Sequence, residues 1–246
     1  MVSSKPRRIA MWSCPRTVST ALMRAFENRA DTTVCDEPLY ACYLAATGLP
    51  HPMAAEVIAS QAIDWRVVAE QLTGPVPGDR SVFYQKHMAH HLLPEIGREW
   101  LERLEHCFLI RDPLELLPSL DDRTPDPRLE DTGFPQQLEL FEQVSESTGR
   151  TPPVIDSRDL LQAPREVLGL LCESLDIPFD EAMLSWPAGP RSTDGAWAAH
   201  WYANVERSTA FQAPPARART LPGRLEELLE VCRTPYETLH AHRLHP

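Results

Sequence analysis

Residues 7–28 read RRIAMWSCPRTVSTALMRAFEN, and this stretch decides the fold. Residues 7–13 read as a short buried strand, and apolar residues then recur at Leu22, Met23 and Phe26 with helical spacing. Between them lies Ser13-Cys14-Pro15-Arg16-Thr17-Val18-Ser19-Thr20. A strand running through such a loop into a helix start can surround a phosphate with backbone N–H groups, hydroxyls and one guanidinium. The same residues also suit an ordinary helix cap, with Thr17 or Ser19 capping and Arg16 in solvent. The segment alone leaves both readings open.

Working outward, the alternation repeats. Further short strands are read at residues 33–36, 81–88, 106–111 and 154–157. Helices are read at 54–72, 94–105, 113–121, 134–147, 164–175 and 221–241. Strands alternating with helices predict an α/β fold: a three-layer α/β/α architecture around a central, mostly parallel sheet of about five strands, with ligands at their carboxyl ends. No repeat divides the chain, so residues 1–246 are expected to form a single domain. Residues 121–131 (DDRTPDPRLED) read as a mobile surface loop, and 186–215, rich in Trp, Arg, Gly and Pro, as an ordered functional loop.

Composition removes several functions. The first glycine is Gly48 and the only lysines are Lys5 and Lys86, so no G-x-x-x-x-G-K-S/T loop exists and no G-x-G-x-x-G loop can follow the first strand. The net charge of −11 argues against nucleic acid as a partner. Residues 1–30 nevertheless carry six basic side chains against one acid, a basic patch on an acidic protein. No apolar run approaches the roughly 18 residues of a membrane span, so a cytoplasmic location without membrane association is expected. Six scattered cysteines without a C-x-x-C pair read as buried free thiols.

Two of these segments resemble the cofactor motifs of sulfotransferases that use 3′-phosphoadenosine 5′-phosphosulfate (PAPS). Pro15-Arg16-Thr17-Val18-Ser19-Thr20 is similar to that family's 5′-phosphosulfate loop, P-K/R-S/T-G-S/T-T, with Val18 in place of glycine. Cys107-Phe108-Leu109-Ile110-Arg111-Asp112-Pro113, continuing to Ser119, resembles its 3′-phosphate motif, in which an Arg at a strand end and a Ser eight positions on grip one dianion. Residues 156–179 resemble a structural segment of the same family, and Gly189-Pro190-Arg191-Ser192-Thr193-Asp194-Gly195-Ala196-Trp197 a degenerate form of its C-terminal cofactor loop. The resemblance implies the P-loop-like sulfotransferase architecture, PAPS as co-substrate held by residues 14–20 (Cys14 included), Arg111, Ser119 and Arg191, and no metal.

It also implies transfer of a sulfuryl group to a hydroxyl of a small-molecule or carbohydrate acceptor. Glu37, in Asp36-Glu37-Pro38, resembles the acidic base of the branch that includes heparan and bacterial carbohydrate sulfotransferases. His87 is a second candidate. It lies one residue nearer the lysine than the histidine of the cytosolic branch, and a one-residue shift on a strand reverses the face. Lys86 and Arg16 are the expected charge stabilisers. A metal site among His87, His90 and His91 would need a helix, whereas SVFYQ before them predicts a strand. A sulfotransferase-like protein that binds without catalysing is the alternative, with a kinase-like P-loop enzyme behind it. Acceptor contacts are expected from residues 38–65, 121–140 and 186–212, with Tyr40, Tyr43, Trp197, Trp201 and Tyr202 among them.

Overall fold

A computed structural model describes residues 6–213 and 220–246. Lys5 and the end of the predicted functional loop lie outside the described residues. The strands are β1 (Arg7–Ser13), β2 (Thr32–Asp36), β3 (Val82–Met88), β4 (Glu105–Ile110) and β5 (Val154–Asp156). They form one sheet in the order β2-β3-β1-β4-β5, and every pairing is parallel. The expected sheet is therefore present, and it is wholly rather than mostly parallel.

The helices, in chain order, are α1 (Ser19–Glu27), α2 (Tyr40–Thr47), α3 (Ala54–Ser60), α4 (Trp65–Thr73), α5 (Pro113–Asp121), α6 (Leu129–Thr132), α7 (Phe134–Thr148), α8 (Ser157–Gln162), α9 (Pro164–Ser174), α10 (Ala198–Trp201), α11 (Ala203–Glu206) and α12 (Glu226–His240). They cover the sheet on both faces. Side chains alternate along β1, so Ile9 and Met11 pack with α1, α8 and α9, whereas Ala10 and Trp12 pack with α4, α7 and α12. All four are fully buried, which is why the run is continuously apolar.

β1 is central, with β3 on one side and β4 on the other. The chain leaves β1 for β2 at one edge, returns as β3, then crosses to β4. That reversal separates the loops at the carboxyl ends of the strands and opens a crevice there.

Local chemistry fixes several boundaries. Asp112 accepts from Leu114 N (2.8 Å) and Pro113 occupies the first turn, so α5 starts immediately after β4. Asp156 does the same for α8 through Arg158 N (2.7 Å). Other expectations need correction. Residues 94–105 supply only a 3-10 turn, Glu99–Arg103. Gly97 lies so close to Trp65 that an added Cβ would sit 2.8 Å from its ring. The predicted helix over 54–72 is two helices, α3 and α4. The loop 121–131 closes into α6, whose Asp131 carboxylate accepts from Arg128 N at 2.8 Å. α2 escaped prediction because Tyr40, Ala41, Cys42, Tyr43 and Leu44 are all buried, leaving no polar face to set a period. All six cysteines are free thiols, and all but Cys35 are buried. No helix among the described residues is long and apolar enough to cross a membrane.

Candidate active site

The carboxyl ends of β1, β3 and β4 open onto a cavity of about 710 Å³. Its floor is the loop after β1. Residues 15–20 all line it, whereas Cys14 is fully buried behind them, with its thiol donating to Gln137 Oε1 at 3.2 Å. Arg16 (φ 65°) and Val18 (φ 61°) are both left-handed, and Val18 immediately precedes α1. No side chain caps α1. Thr17 instead donates backwards to Cys14 O at 2.8 Å, so the ordinary-cap reading of this segment does not hold. A left-handed residue followed by a helical one turns successive N–H groups the same way, which together with an uncapped helix start makes an anion nest. Val18 adopts the conformation that glycine would adopt freely, at a cost of about 1–3 kcal/mol.

The loop is pinned from below by buried polar side chains. Gln137 on α7 donates to Trp12 O and Leu109 O, each at 3.0 Å, tying the ends of β1 and β4 together. Ser157 Oγ lies 3.0 Å from Thr17 O and 2.7 Å from Ile110 O.

On the β4 side, Arg111 lines the cavity and donates to Arg16 O at 2.6 Å. Arg16 Nε donates to Ser119 Oγ on α5 at 3.1 Å. Arg16, Arg111 and Ser119 are thus drawn together from three elements. Arg191 is not among them. It lies 3.9 Å from Glu27 at the opposite end of α1 and donates to Pro187 O at 2.9 Å. A nine-residue helix spans about 13 Å, so the loop containing Arg191 packs at the wrong end of α1 to reach the nest. Asp194 in that loop pairs with buried Arg24, which gives the segment a structural anchor.

On the β3 side is a buried charged centre. Lys86 Nζ, fully buried, donates to Asp36 Oδ1 (2.7 Å), Glu37 Oε1 (2.6 Å) and Tyr202 Oη (2.7 Å). Its three N–H donors are thereby used. Tyr202 in turn donates to Asp36 Oδ2 (2.7 Å) and accepts from Trp197 Nε1 (3.0 Å). Burial alone would lower the Lys86 pKa, but Asp36 and Glu37 reverse this and hold it well above the ordinary ammonium value. Burial pushes Glu37 upward and Asp36 adds to this, with Lys86 opposing. Two carboxylates share one ammonium here, and Glu37 is the one that lines the cavity.

His87 does not join this centre. Its ring stacks on Trp12 (centroids 4.2 Å) on the opposite face of β3, and Nε2 lies 3.3 Å from Gln85 Oε1. Burial pushes it down to about 3. The expectation that His87 serves catalysis is corrected by strand alternation. His90 and His91, on the turn Ala89–His91, do line the cavity, and neither Nδ1 atom has a hydrogen-bond partner. Among the described residues, no three His, Cys, Asp or Glu side chains are grouped so as to hold a metal ion.

The sequence assigned Asp36 no part, Tyr202 only a contact with the acceptor, and His90 and His91 only a reading as metal ligands. The signal for Asp36 was a lone lysine with an Asp-Glu pair to neutralise; nothing local tied Tyr202, His90 or His91 to that centre.

The fold is similar to the sulfotransferase domain of the Synechococcus PCC 7002 olefin synthase (TM-score 0.59, 19% identity, covering 99% of this chain and 98% of that one). It is also similar to the sulfotransferase domain from the curacin biosynthetic pathway (TM-score 0.56, 16% identity, 99% and 100%). In sequence the chain is 37% identical over 243 residues to branched-chain-amino-acid aminotransferase-like protein 1 of Arabidopsis thaliana, and 35% identical over 238 residues to protein 2 of that name. These alignments cover 98% and 96% of this chain but only 43% and 42% of the relatives, so the chain spans less than half their length. The sulfotransferase-domain family matches residues 7–242. Because that match starts with β1 and runs past the last residue of α12, the chain belongs to the sulfotransferase-domain family.

Proposed function

We propose that the protein transfers a sulfuryl group from PAPS to a hydroxyl of a small-molecule or carbohydrate acceptor. The observation that carries this reading is that one cavity joins the uncapped nest of α1 and Arg111 to the buried Glu37–Lys86 pair. The nest and Arg16 suit the phosphosulfate group, and Arg111 with Ser119 the 3′-phosphate.

Glu37 accepts the acceptor's proton. The acceptor oxygen forms the new S–O bond as the bond from sulfur to the bridging phosphate oxygen breaks, and that electron pair leaves with adenosine 3′,5′-bisphosphate. Protonation of Glu37 weakens its bond to Lys86 and releases one ammonium N–H toward the departing oxygen, where charge develops. The aminotransferase-like name of the Arabidopsis relatives is not extended to this chain. Lys86, the single lysine among the described residues, is held between two carboxylates and is unsuited to forming a Schiff base.

The test is thermal stabilisation by adenosine 3′,5′-bisphosphate against ADP and Mg-ATP, followed by PAPS turnover. Preferential stabilisation by the bisphosphate is expected, and stabilisation by Mg-ATP alone rejects the reading. Glu37→Gln is expected to retain bisphosphate affinity and lose about a hundredfold or more in turnover. The saturated donors of Lys86 favour a second reading, binding without transfer. A wild-type protein that binds bisphosphate and transfers nothing would establish it.

A further inference from the structure

Next to Glu37 the cavity wall carries a group that the reaction above does not use. His91 is only 2% exposed, yet its Nδ1 makes no hydrogen bond. Its faces are taken: the ring stacks on Tyr40 (centroids 4.5 Å, planes 8° apart) and on Tyr43 (4.8 Å, 29°), and His90 meets it edge-on at 4.4 Å. This clamp fixes Nδ1 4.0 Å from Glu37 Oε2, while Oε1 of the same carboxylate holds Lys86.

That separation is too long for a direct hydrogen bond. A single hydroxyl oxygen about 2.8 Å from each atom would bridge it, with an angle of about 90° at the oxygen. A buried ring nitrogen without a partner is unfavourable, and native proteins rarely retain one unless something arrives to satisfy it. Burial, with the neighbouring His90, keeps the imidazole far below its ordinary pKa, so it offers an N–H without adding charge.

We propose that His91 is a catalytic residue that holds the acceptor hydroxyl jointly with Glu37, resting on the sulfuryl-transfer reading above. The Nδ1–H tautomer donates to the acceptor oxygen, and that oxygen donates its own proton to Glu37 Oε2. The remaining lone pair is then directed at sulfur. During transfer the proton passes to Glu37, the lone pair forms the S–O bond, and the bond to the phosphate oxygen breaks with its electrons on the leaving bisphosphate. His91 is unchanged throughout.

The test uses two variants of the full chain. His91→Phe keeps the stacking between Tyr40 and Tyr43 but lacks the nitrogen, and His91→Asn places an amide N–H near the position of Nδ1. With water, ethanol, phenol and 2-naphthol as acceptor probes, His91→Phe is expected to lower PAPS turnover about a hundredfold. Its bisphosphate affinity stays unchanged, and its Tm rises by about 2–4 °C because an unsatisfied buried atom has gone. His91→Asn is expected to recover turnover to within about tenfold of wild type.

Wild-type turnover in His91→Phe overturns the proposal. So does equal loss in both variants with lowered Tm, which marks a structural role. A wild type that binds bisphosphate but transfers to none of the probes removes the catalytic pair while leaving cofactor binding intact. A wild type that binds no bisphosphate refutes the underlying reading instead.

Discussion

Lys86 donates to three oxygens from two elements, so removing its ammonium leaves Asp36 and Glu37 buried without a cation. Lys86→Met is expected to cost about 3–5 kcal/mol in urea unfolding, since breaking a buried pair is far worse than never building one. Tyr202→Phe removes one hydroxyl that bonds Asp36, Lys86 and Trp197, and is expected to cost about 1–3 kcal/mol. A surface-like loss below half a kcal/mol in either variant would show that the centre is open to water. At this scale the sequence was half legible. A lone lysine in a strand and an Asp-Glu pair after another are visible as candidates, because charge at the carboxyl end of a buried strand needs a partner or a task. Tyr202 was not assignable to that centre. It reaches Lys86 across 116 positions from a segment without periodicity, so only the fold brings the two together.

The loop before α1 is an element whose backbone prevails over its side chains. Val18 holds φ 61° while packing partly against the core below the sheet. Val18→Ala removes the packing and keeps the strain; Val18→Gly removes both. Glycine is therefore expected to be more stable than alanine here by about 1 kcal/mol, the reverse of the usual helix-side order, as measured by urea unfolding of both variants. Alanine proving the more stable would mean that residue 18 is not left-handed in solution. Elements were legible where one face differs from the other: β1, α1, α9 and α12 fall within a few residues of expectation. α2, apolar and largely buried, was not, since hydrophobic periodicity needs a wet face to be seen, and α10 and α11, four residues each, are too short to show a period.

At the scale of the molecule, burial of neutral histidines makes stability depend on pH. His87 and His90 have an ordinary value of 6.5 and are pushed by burial to about 3 in the folded protein. Between those values the unfolded chain binds protons that the folded chain does not, so stability falls as pH drops through the window. At about pH 5 each ring contributes a loss of about 2 kcal/mol, and His91, pushed down further, adds to it. Glu37 works in the opposite sense. Its raised pKa favours the folded state at low pH, a contribution lost as pH rises through its folded value, and Asp156 acts likewise, but these two carboxyls oppose five rings, since burial lowers His51 and His106 as well. Acid unfolding followed by circular dichroism is expected to begin below about pH 6, and His87→Phe, which retains a ring against Trp12, to move the transition to lower pH. An unchanged midpoint would mean that this ring is charged in the folded protein.

The central position of β1 also has a consequence in time. Within this fold β1 precedes the other strands in the chain but waits for both of its neighbours, which begin at Val82 and Glu105 rather than in the next segment. Until β4 has been made, Ile9, Ala10, Met11 and Trp12 have no completed sheet to enter, and both edges of β1 cannot be paired. Such non-local pairing slows folding and leaves an apolar strand available to wrong partners. The stretch from β1 to β4, about a hundred residues, therefore needs shielding until β4 emerges, and the arrangement that places the anion loop at the middle of the sheet makes this fold a candidate client for a chaperone during synthesis.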